Sequence, residues 1–255
     1  MKSIVLCFFL GVIGLISVAQ AAEDYCSKTL CGAGEKHIAC EHPGTFGKNC
    51  PEERKLITID EPMKKLIVDL HNELRDKTAS GELEGYKPAK RMASMTWDNE
   101  LAYLAGLQAM GCEMEHDECH ATKTYKLSGQ NLGQSWYMGE PKPTIADTFT
   151  DLIKSWHSEH EFANMDIIRN YPSNWDEPDD IGHFTVLVND FNTKVGCGSV
   201  WMIDEDKYDS VLLTCNYAVT NLVNNPVYEE GPPASGCKTG KHPDYKNLCS
   251  SKEVF

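Results

Sequence analysis

The sequence predicts an α+β fold in which helices and antiparallel strands pack in layers. Three segments between residues 61 and 164 place apolar side chains at helical spacing. Apolar and β-branched runs, separated by turn residues, follow between residues 183 and 219. Because the helical segments and the β-rich runs are segregated along the chain, we expect one large domain with its own core.

The first 21 residues are predicted to be a secretory signal peptide. Lys2 precedes an apolar run, and Ala19-Gln20-Ala21 supplies the small-residue pattern of a cleavage site. No later stretch approaches the roughly 18 unbroken apolar residues that a membrane span needs. The protein is therefore expected to be secreted and extracellular, without a membrane span.

The chain is strongly acidic. It has 24 basic and 38 acidic residues, which gives a net charge of −14, or 23 − 38 = −15 after Lys2 leaves with the signal peptide. Such a surface repels nucleic acids and anionic membranes. We therefore expect no nucleic-acid partner, and we expect the protein to be a soluble monomer.

Ten cysteines remain after the signal peptide, because Cys7 lies within it. An even number of cysteines in a secreted chain is typical of a disulfide framework. Residues 22–60 form a Cys-rich N-terminal arm with little periodicity, so bridges are expected to hold it in place. The ten are Cys26, Cys31, Cys40, Cys50, Cys112, Cys119, Cys197, Cys215, Cys237 and Cys249.

Residues 61–77 are predicted to form the first helix. Pro62 suits the first turn, where its missing backbone N–H leaves no helical hydrogen bond unmade. In the motif HNELR, His71 and Arg75 lie four residues apart on one face, and His71 borders the apolar side. The expected inward side chains are Met63, Leu66, Ile67, Leu70 and Leu74.

Two further helices are predicted, at residues 96–114 and 144–164. Asp98 is a suitable N-cap for the first of these, since its carboxylate can accept hydrogen bonds from free backbone amides. The expected inward side chains are Leu101, Leu104 and Ala105 in one helix, and Ile145, Phe149, Leu152, Ile153 and Trp156 in the other.

The last part of the chain favours strands and turns. GQNLG at residues 129–133 predicts a turn that exposes the amide of Gln130. His183 is placed just before a predicted strand, and residues 225–255 form a turn-rich tail with the last two cysteines. The predicted strands lie at residues 183–190, 196–203 and 209–219.

No complete catalytic motif is present. HDECH at residues 116–120 differs from the HExxH motif of zinc proteases, because Asp117 replaces the Glu that acts as general base. Cys119 is expected to be bridged, and so are the other cysteines of the mature chain, which leaves no thiol for a Cys–His dyad. The chain has no G-x-S-x-G motif. We therefore predict that the protein is not an enzyme and requires no cofactor.

Several motifs in this order resemble the CAP superfamily of cysteine-rich secretory, antigen 5 and pathogenesis-related proteins. CSKTLCGAGEKHIAC near the N-terminus and NNPVYEEG before the final cysteine pair are similar to the antigen-5 branch of flies. The resemblance covers residues 24–250. The motifs are HNELR (71–75), WDNELAYLA (97–105), HDEC (116–119), GQNL (129–132), WHSE (156–159), GHFT (182–185) and LLTCNYA (212–218).

The resemblance implies a three-layer α-β-α sandwich. Residues 61–224 would form its CAP core, with the arm at residues 22–60 pinned by disulfides and a short tail at residues 225–255. The implied bridges are Cys26–Cys40, Cys31–Cys119, Cys50–Cys112 and Cys197–Cys215, and the tail cysteines Cys237 and Cys249 remain to pair with each other.

The resemblance also implies a cleft lined by two histidines and two acids. Carried over by motif, these positions are His116, His183, Glu159 and Gln130. Gln130 stands where the family pattern has Glu, and an amide is a poor metal ligand that cannot act as a general base. His116 and His183 could still bind Zn²⁺ or Cu²⁺, whereas His120 is given no role.

The function implied is that of a secreted, non-catalytic binding protein. It would be a salivary allergen that sequesters host molecules, either an immunoglobulin or complement protein or a small lipid, and so dampens host defence. Two alternatives stay open. One is a metal-dependent enzyme, a protease or a superoxide dismutase that uses His116 and His183, and the other is a general extracellular or venom-like immune protein.

Overall fold

The computed structural model describes residues 24–203 and 207–255, so the signal peptide predicted at residues 1–21 lies outside the described part. Among the described helices, none combines the length and the apolar character needed to traverse a bilayer. In chain order the elements are β1 Arg54–Leu56, α1 Glu61–Ser80, β2 Thr96–Trp97, α2 Asn99–Ala109, β3 Gly129–Tyr137, α3 Ile145–Ser158, a 3₁₀ turn Glu159–Glu161, α4 Met165–Arg169, α5 Gly182–Val188, β4 Lys194–Ile203 and β5 Asp209–Tyr217.

One sheet forms the middle of the molecule. Its strand order is β1-β4-β5-β3, and the short β2 pairs in parallel with the start of β4. β4 and β5 are antiparallel, and β3 runs antiparallel to β5 along its whole length. Every residue of β5 is buried, because β5 is a central strand that is covered on both faces.

Helix α2 covers one face of the sheet at very short range. A Cβ added at Gly198 would lie 2.4 Å from the Cα of Gly106, and one added at Gly196 would lie 2.2 Å from the amide nitrogen of Ala102. Both positions therefore require glycine. Helices α1, α3 and α5 pack together on the opposite face. The three-layer α-β-α arrangement is confirmed.

The three long helices form where the sequence predicts helices, but α1 extends to Ser80, and Thr96–Trp97, predicted as part of the second helix, form β2 instead. Asp60 caps α1 and Asp98 caps α2 through hydrogen bonds from their first backbone amides. Thr144 and Asp147 form a capping box at the start of α3. His71 is not at the border of the apolar face but fully buried.

The strand predicted at residues 183–190 is wrong, because most of that segment forms α5. A short continuous apolar run has no periodicity that separates a buried strand from a buried helix. Distant partners stabilise the helix at both ends. The amide of Phe184 donates to Glu159 Oε2 over 3.0 Å, and Arg75 Nη1 donates to the carbonyl of Leu187 over 2.7 Å.

The turn predicted at residues 129–133 is also wrong, because these residues begin β3. The glycines serve close packing rather than chain reversal. A Cβ at Gly129 would lie 2.8 Å from the carbonyl oxygen of Val219, and one at Gly133 would lie 3.1 Å from a side chain of α3. The amide of Gln130 is consequently buried instead of exposed.

The described residues contain five disulfides, with the pairings that the resemblance implies. Two of them tie the N-terminal arm to the rest of the molecule, and Leu104, Leu107 and Met110 form a small apolar cluster against which the arm also packs. The arm is therefore held by burial as well as by bridges. The bridges are Cys26–Cys40, Cys31–Cys119, Cys50–Cys112, Cys197–Cys215 and Cys237–Cys249.

Candidate functional site

A cavity of about 420 Å³ opens beside the first residues of β3. The segment that carries HDECH forms one wall, and the start of α5 forms another. The cavity is lined by His116, His120, Ser128, Gly129, Gln130, Asn131, Tyr171, Asp180, Gly182, His183, Val186, Thr220 and Asn221. We call this cavity the polar cleft.

His183 is fixed by a carboxylate behind it. Its Nδ1 lies 2.5 Å from Glu159 Oε1, and its ring stacks on Trp156 with 6.0 Å between centroids. Glu159 Oε2 accepts the amide hydrogen of Phe184, so both oxygens of this carboxylate are engaged. In its neutral form His183 therefore carries its proton on Nδ1, and Nε2 remains as an acceptor.

His116 is fixed in a similar way by Gln130. His116 Nδ1 lies 2.8 Å from Gln130 Oε1, and Gln130 Nε2 donates to Asp117 Oδ2 over 2.7 Å and to Asn216 Oδ1 over 2.9 Å. Because the Asp117 carboxylate only accepts, the orientation of the Gln130 amide is settled. A glutamate here would set a second carboxylate against Asp117, which explains why an amide suits this chain.

His120, which the sequence analysis gave no role, belongs to the same network. Its Nδ1 lies 2.8 Å from Asp117 Oδ1, and its Nε2 lies 3.3 Å from the carbonyl oxygen of Gly129. Burial raises the pKa of Asp117, but hydrogen bonds from His120 and Gln130 outweigh that effect, so the pKa lies below its usual value. The Asp117–His120 pair thus joins the HDECH segment to β3.

The structure brings the four predicted residues to one region but splits them into two pairs. His183 pairs with Glu159 and His116 pairs with Gln130. Asp180, which is exposed at the mouth, was missed by the sequence analysis. The acidic run DEPDD at residues 176–180, which ends two residues before α5 begins, is the sequence feature that could have indicated it.

Comparison with known proteins decides the family. The profile described as "Cysteine-rich secretory protein family", CAP, matches residues 68–217. The chain belongs to the CAP family. Venom allergen-1 of Aedes albopictus is 37% identical over 238 residues, which are 93% of this chain and 91% of that protein.

The chain is also similar to other members of the family. The antigen 5 like allergen Cul n 1 of Culicoides nubeculosus is 40% identical over 184 residues, which are 68% of this chain and 81% of that protein. A solved structure described as NaASP2 with Zn²⁺ covers 79% of this chain and all of that one, with a TM-score of 0.62 and 23% identity. That structural likeness supports the CAP fold.

The described residues of this CAP protein offer one candidate set of metal ligands. They contain one group of three candidate ligands within 4.8 Å of one another, formed by Glu159, Asp180 and His183, and it does not include His116. Each Glu159 oxygen accepts one hydrogen bond within the protein and keeps a further lone pair. Zinc sites use three or four protein ligands, so this set of three reaches only the lower end of that range.

Proposed function

We propose that this protein is a secreted binding protein without catalytic activity, and that it sequesters a small lipid with an anionic head group. The observation that carries the proposal is an apolar groove of about 490 Å³ between β1, the far ends of β4 and β5, and the start of α3. Its size lies within the range of small-molecule pockets. We call it the apolar groove.

The walls of the apolar groove are suited to an acyl chain. Ile57 lines it from the segment that leads into α1, Ile145 lines it from the first turn of α3, and Trp201 and Val211 line it from the sheet. Leu56, at its edge, is 50% exposed. Burial of this apolar surface by a hydrocarbon chain is favourable by about 25 cal/mol per Å².

Two lysines give the apolar groove a positive end in an acidic protein. Lys55 Nζ lies 5.1 Å from the centroid of the Trp201 ring, and it pairs with no carboxylate among the described residues. Lys142 Nζ lies 2.6 Å from Asp209 Oδ2. Two ammonium groups against one carboxylate favour a carboxylate or phosphate head group over a neutral one.

The polar cleft supports the non-catalytic part of the proposal. The groups that would be needed as general bases, Glu159 and Asp117, are held by hydrogen bonds within the protein. Ser128 donates its hydroxyl to the carbonyl of Tyr217 over 2.7 Å. A peptide substrate would therefore meet no activated serine and no carboxylate free of hydrogen bonds among these residues.

The proposed function requires no Zn²⁺ or Cu²⁺ ion at His116 and His183, because two imidazoles alone hold such ions loosely. Metal analysis of protein purified without chelators checks this point. One equivalent of bound metal, together with superoxide dismutase or protease activity lost in His183→Ala, would favour the enzyme alternative instead.

The family gives the proposal its biological setting. Relatives from Aedes and Culicoides are named as allergens, and five disulfides suit an extracellular protein. We propose that this protein is likewise an exported allergen, delivered in saliva, that withdraws lipid mediators from host fluid and so weakens host defence.

The experiment is a binding titration with cis-parinaric acid, a fluorescent fatty acid. Lys55→Glu is expected to weaken binding about tenfold or more, because it replaces attraction of the carboxylate by repulsion. Lys154→Glu makes the same charge change on the exposed face of α3, outside the groove, and should leave the affinity unchanged.

A fatty alcohol of equal length supplies the second arm and should bind more weakly than the acid. Equal affinity for acid and alcohol, or equal losses in the two lysine variants, would contradict the proposal. Recovery of a plasma immunoglobulin or complement protein at one equivalent, by lipid-free protein, would replace the lipid by a protein partner.

A further inference from the structure

We infer that Asp209 restricts the apolar groove to ligands whose head group carries a single negative charge, and that it disfavours doubly charged phosphate monoesters. This inference rests on the proposed function, because it concerns the same groove, and it narrows the head group that the groove accepts. It follows from the charged side chains that line the groove and from the hydrogen bonds that hold them.

The charged side chains of the apolar groove sum to one positive charge. Among the described residues, Lys55 and Lys142 are the cations that line it and Asp209 is the anion. A head group with one negative charge therefore leaves the lined groove neutral. A dianion leaves one negative charge unbalanced.

Asp209 is held in the groove by both of its carboxylate oxygens. Oδ1 accepts the indole N–H of Trp201 over 2.9 Å, and Oδ2 lies 2.6 Å from Lys142 Nζ. The backbone is fixed as well, because Asp209 begins β5 and is paired there with Tyr137 and Ile203. Its charge consequently stays in place when a ligand enters.

The two lysines retain donors for a ligand. Lys55 Nζ lies 5.1 Å from the centroid of the Trp201 ring. The ammonium group of Lys142 has three N–H donors, and its pair with Asp209 uses one of them. Trp201 joins the two cations, since its ring contacts Lys55 and its N–H reaches the carboxylate that holds Lys142. A head group beside this indole meets both ammonium groups together with the charge of Asp209.

Charge balance disfavours a dianion at this position. The attraction between head group and groove grows in proportion to the charge of the head group, whereas the free energy lost on leaving water grows with the square of that charge. A second negative charge on the ligand thus doubles the attraction but raises the desolvation cost fourfold. With one net positive charge in the groove, the monoanion is the better match.

A further acid beside the apolar groove acts in the same direction. Glu140 Oε2 accepts the backbone amide hydrogen of Lys142 over 3.2 Å. The pKa of Lys142 is raised, chiefly by its hydrogen bond to Asp209 and to a smaller extent by the charge of Glu140. Lys142 therefore stays charged at pH 8, and a doubly charged ligand would be repelled by two carboxylates.

The test is displacement of cis-parinaric acid from the mature protein at pH 8 by dodecyl sulfate and by dodecyl phosphate, each below its micelle-forming concentration. The two probes share the same chain and a tetrahedral head group. They differ in charge, because the sulfate carries one negative charge and the phosphate, with a second pKa of about 6, carries nearly two. We expect the sulfate to bind about threefold more tightly than the phosphate.

Asp209→Asn should remove this preference. Asparagine keeps an oxygen that can accept the Trp201 N–H but loses the charge. Loss of one partly exposed charge should strengthen sulfate binding about threefold and phosphate binding about ninefold, since the repulsion scales with the head-group charge. The two affinities should then be nearly equal. Asp151→Asn is the matched control, because Asp151 is an exposed acid of α3 that does not line the groove.

Lys142→Gln supplies a second test of opposite sign that does not depend on the folding of Asp209→Asn. The Lys142 side chain is 44% exposed, so its replacement leaves the core intact. The charge of the lined groove falls from +1 to 0, and sulfate binding should weaken about threefold while phosphate binding weakens about ninefold. The preference for the sulfate should therefore increase.

Two results would overturn the inference alone. One is phosphate binding that equals or exceeds sulfate binding in the unaltered protein. The other is an Asp209→Asn variant whose ratio of affinities matches that of Asp151→Asn. Failure of the proposed function has a different signature: neither probe would displace cis-parinaric acid, or Lys55→Glu would bind both probes as the unaltered protein does. In that case the inference falls together with the proposed function.

Discussion

Replacement of Arg75 by methionine should cost more stability than any surface change, because this guanidinium organises the ends of several loops. Arg75 is fully buried and donates to four backbone carbonyls. The distances are 2.5 and 3.1 Å to Ala93, 2.7 Å to Leu187, 2.8 Å to Asn189 and 3.1 Å to Asn192. Methionine fills much of the volume but donates nothing.

The magnitude follows from the carbonyls left behind. The carbonyl of Asn189 keeps a second donor, the amide of Asn192, whereas the other three lose the donor described for them. At about 1–3 kcal/mol for each unpaired buried group, the loss is roughly 3–9 kcal/mol. We expect the lower part of that range, because burial of the charge itself is unfavourable and lowers the pKa of Arg75 to about 9.

The assay is unfolding in guanidinium chloride, followed by tryptophan fluorescence with all disulfides intact. Arg169→Met is the control, since Arg169 is a half-exposed surface residue in ion pairs with Asp166 and Glu230 and should contribute less than about 1 kcal/mol. If Arg75→Met fails to fold, Arg75→Lys keeps the charge with fewer donors and should give an intermediate loss. A loss below about 1 kcal/mol in Arg75→Met would refute the reasoning.

Two further predictions concern packing and pH. Gly198→Ala should destabilise the fold by roughly 1–3 kcal/mol or more, because its Cβ would overlap the backbone of α2; Gly182→Ala, where nothing lies within 4 Å, is the control in the same denaturation assay. Burial lowers the pKa of both His71 and His157 to about 4, so these rings stay neutral when folded while the unfolded chain takes up protons below about pH 6.5. Stability should therefore fall between pH 7 and pH 5 by roughly 2 kcal/mol for each ring, partly offset by Asp190, whose pKa burial raises to about 6. Unfolding midpoints that do not change over this range would contradict the histidine assignments.

The helices could be predicted from the sequence because their information is local. In α1, the apolar residues Ile67 and Leu70 recur at helical spacing and are buried, and Asp98 marks the start of α2 as a capping residue should. The fold class followed from such signals and from their order along the chain. These features depend on neighbours within a few residues of one another.

The wrong secondary-structure predictions concern segments whose conformation depends on contacts with residues distant in the sequence. Val186 and Leu187 lie in a run that suits a strand, yet Arg75, more than a hundred residues away, bonds the end of that run as a helix. Gln130 was expected on a turn because glycines flank it, whereas those glycines permit close packing of β3. Periodicity carries no information about such contacts.

The same limit applies to the polar cleft. Motif positions located His116 and His183, but they gave no sign that Asn131 holds an unpaired oxygen beside them. His120 was set aside because HDECH is not a protease motif, and its bond to Asp117 became visible only when the segment was folded against β3. Sequence patterns identify chemically capable residues, whereas hydrogen-bond partners determine which atoms remain available.

The bridge from Cys31 to Cys119 couples the polar cleft to redox conditions. Cys119 lies between Asp117 and His120 in a wall that contains no helix, and the arm supports that wall through the bridge and through the amide of Ile38, which donates to the Cys119 carbonyl. In a reducing compartment this bridge would be absent, and the wall would be loosely held. Any ligand binding that depends on this wall should consequently begin only after oxidative folding.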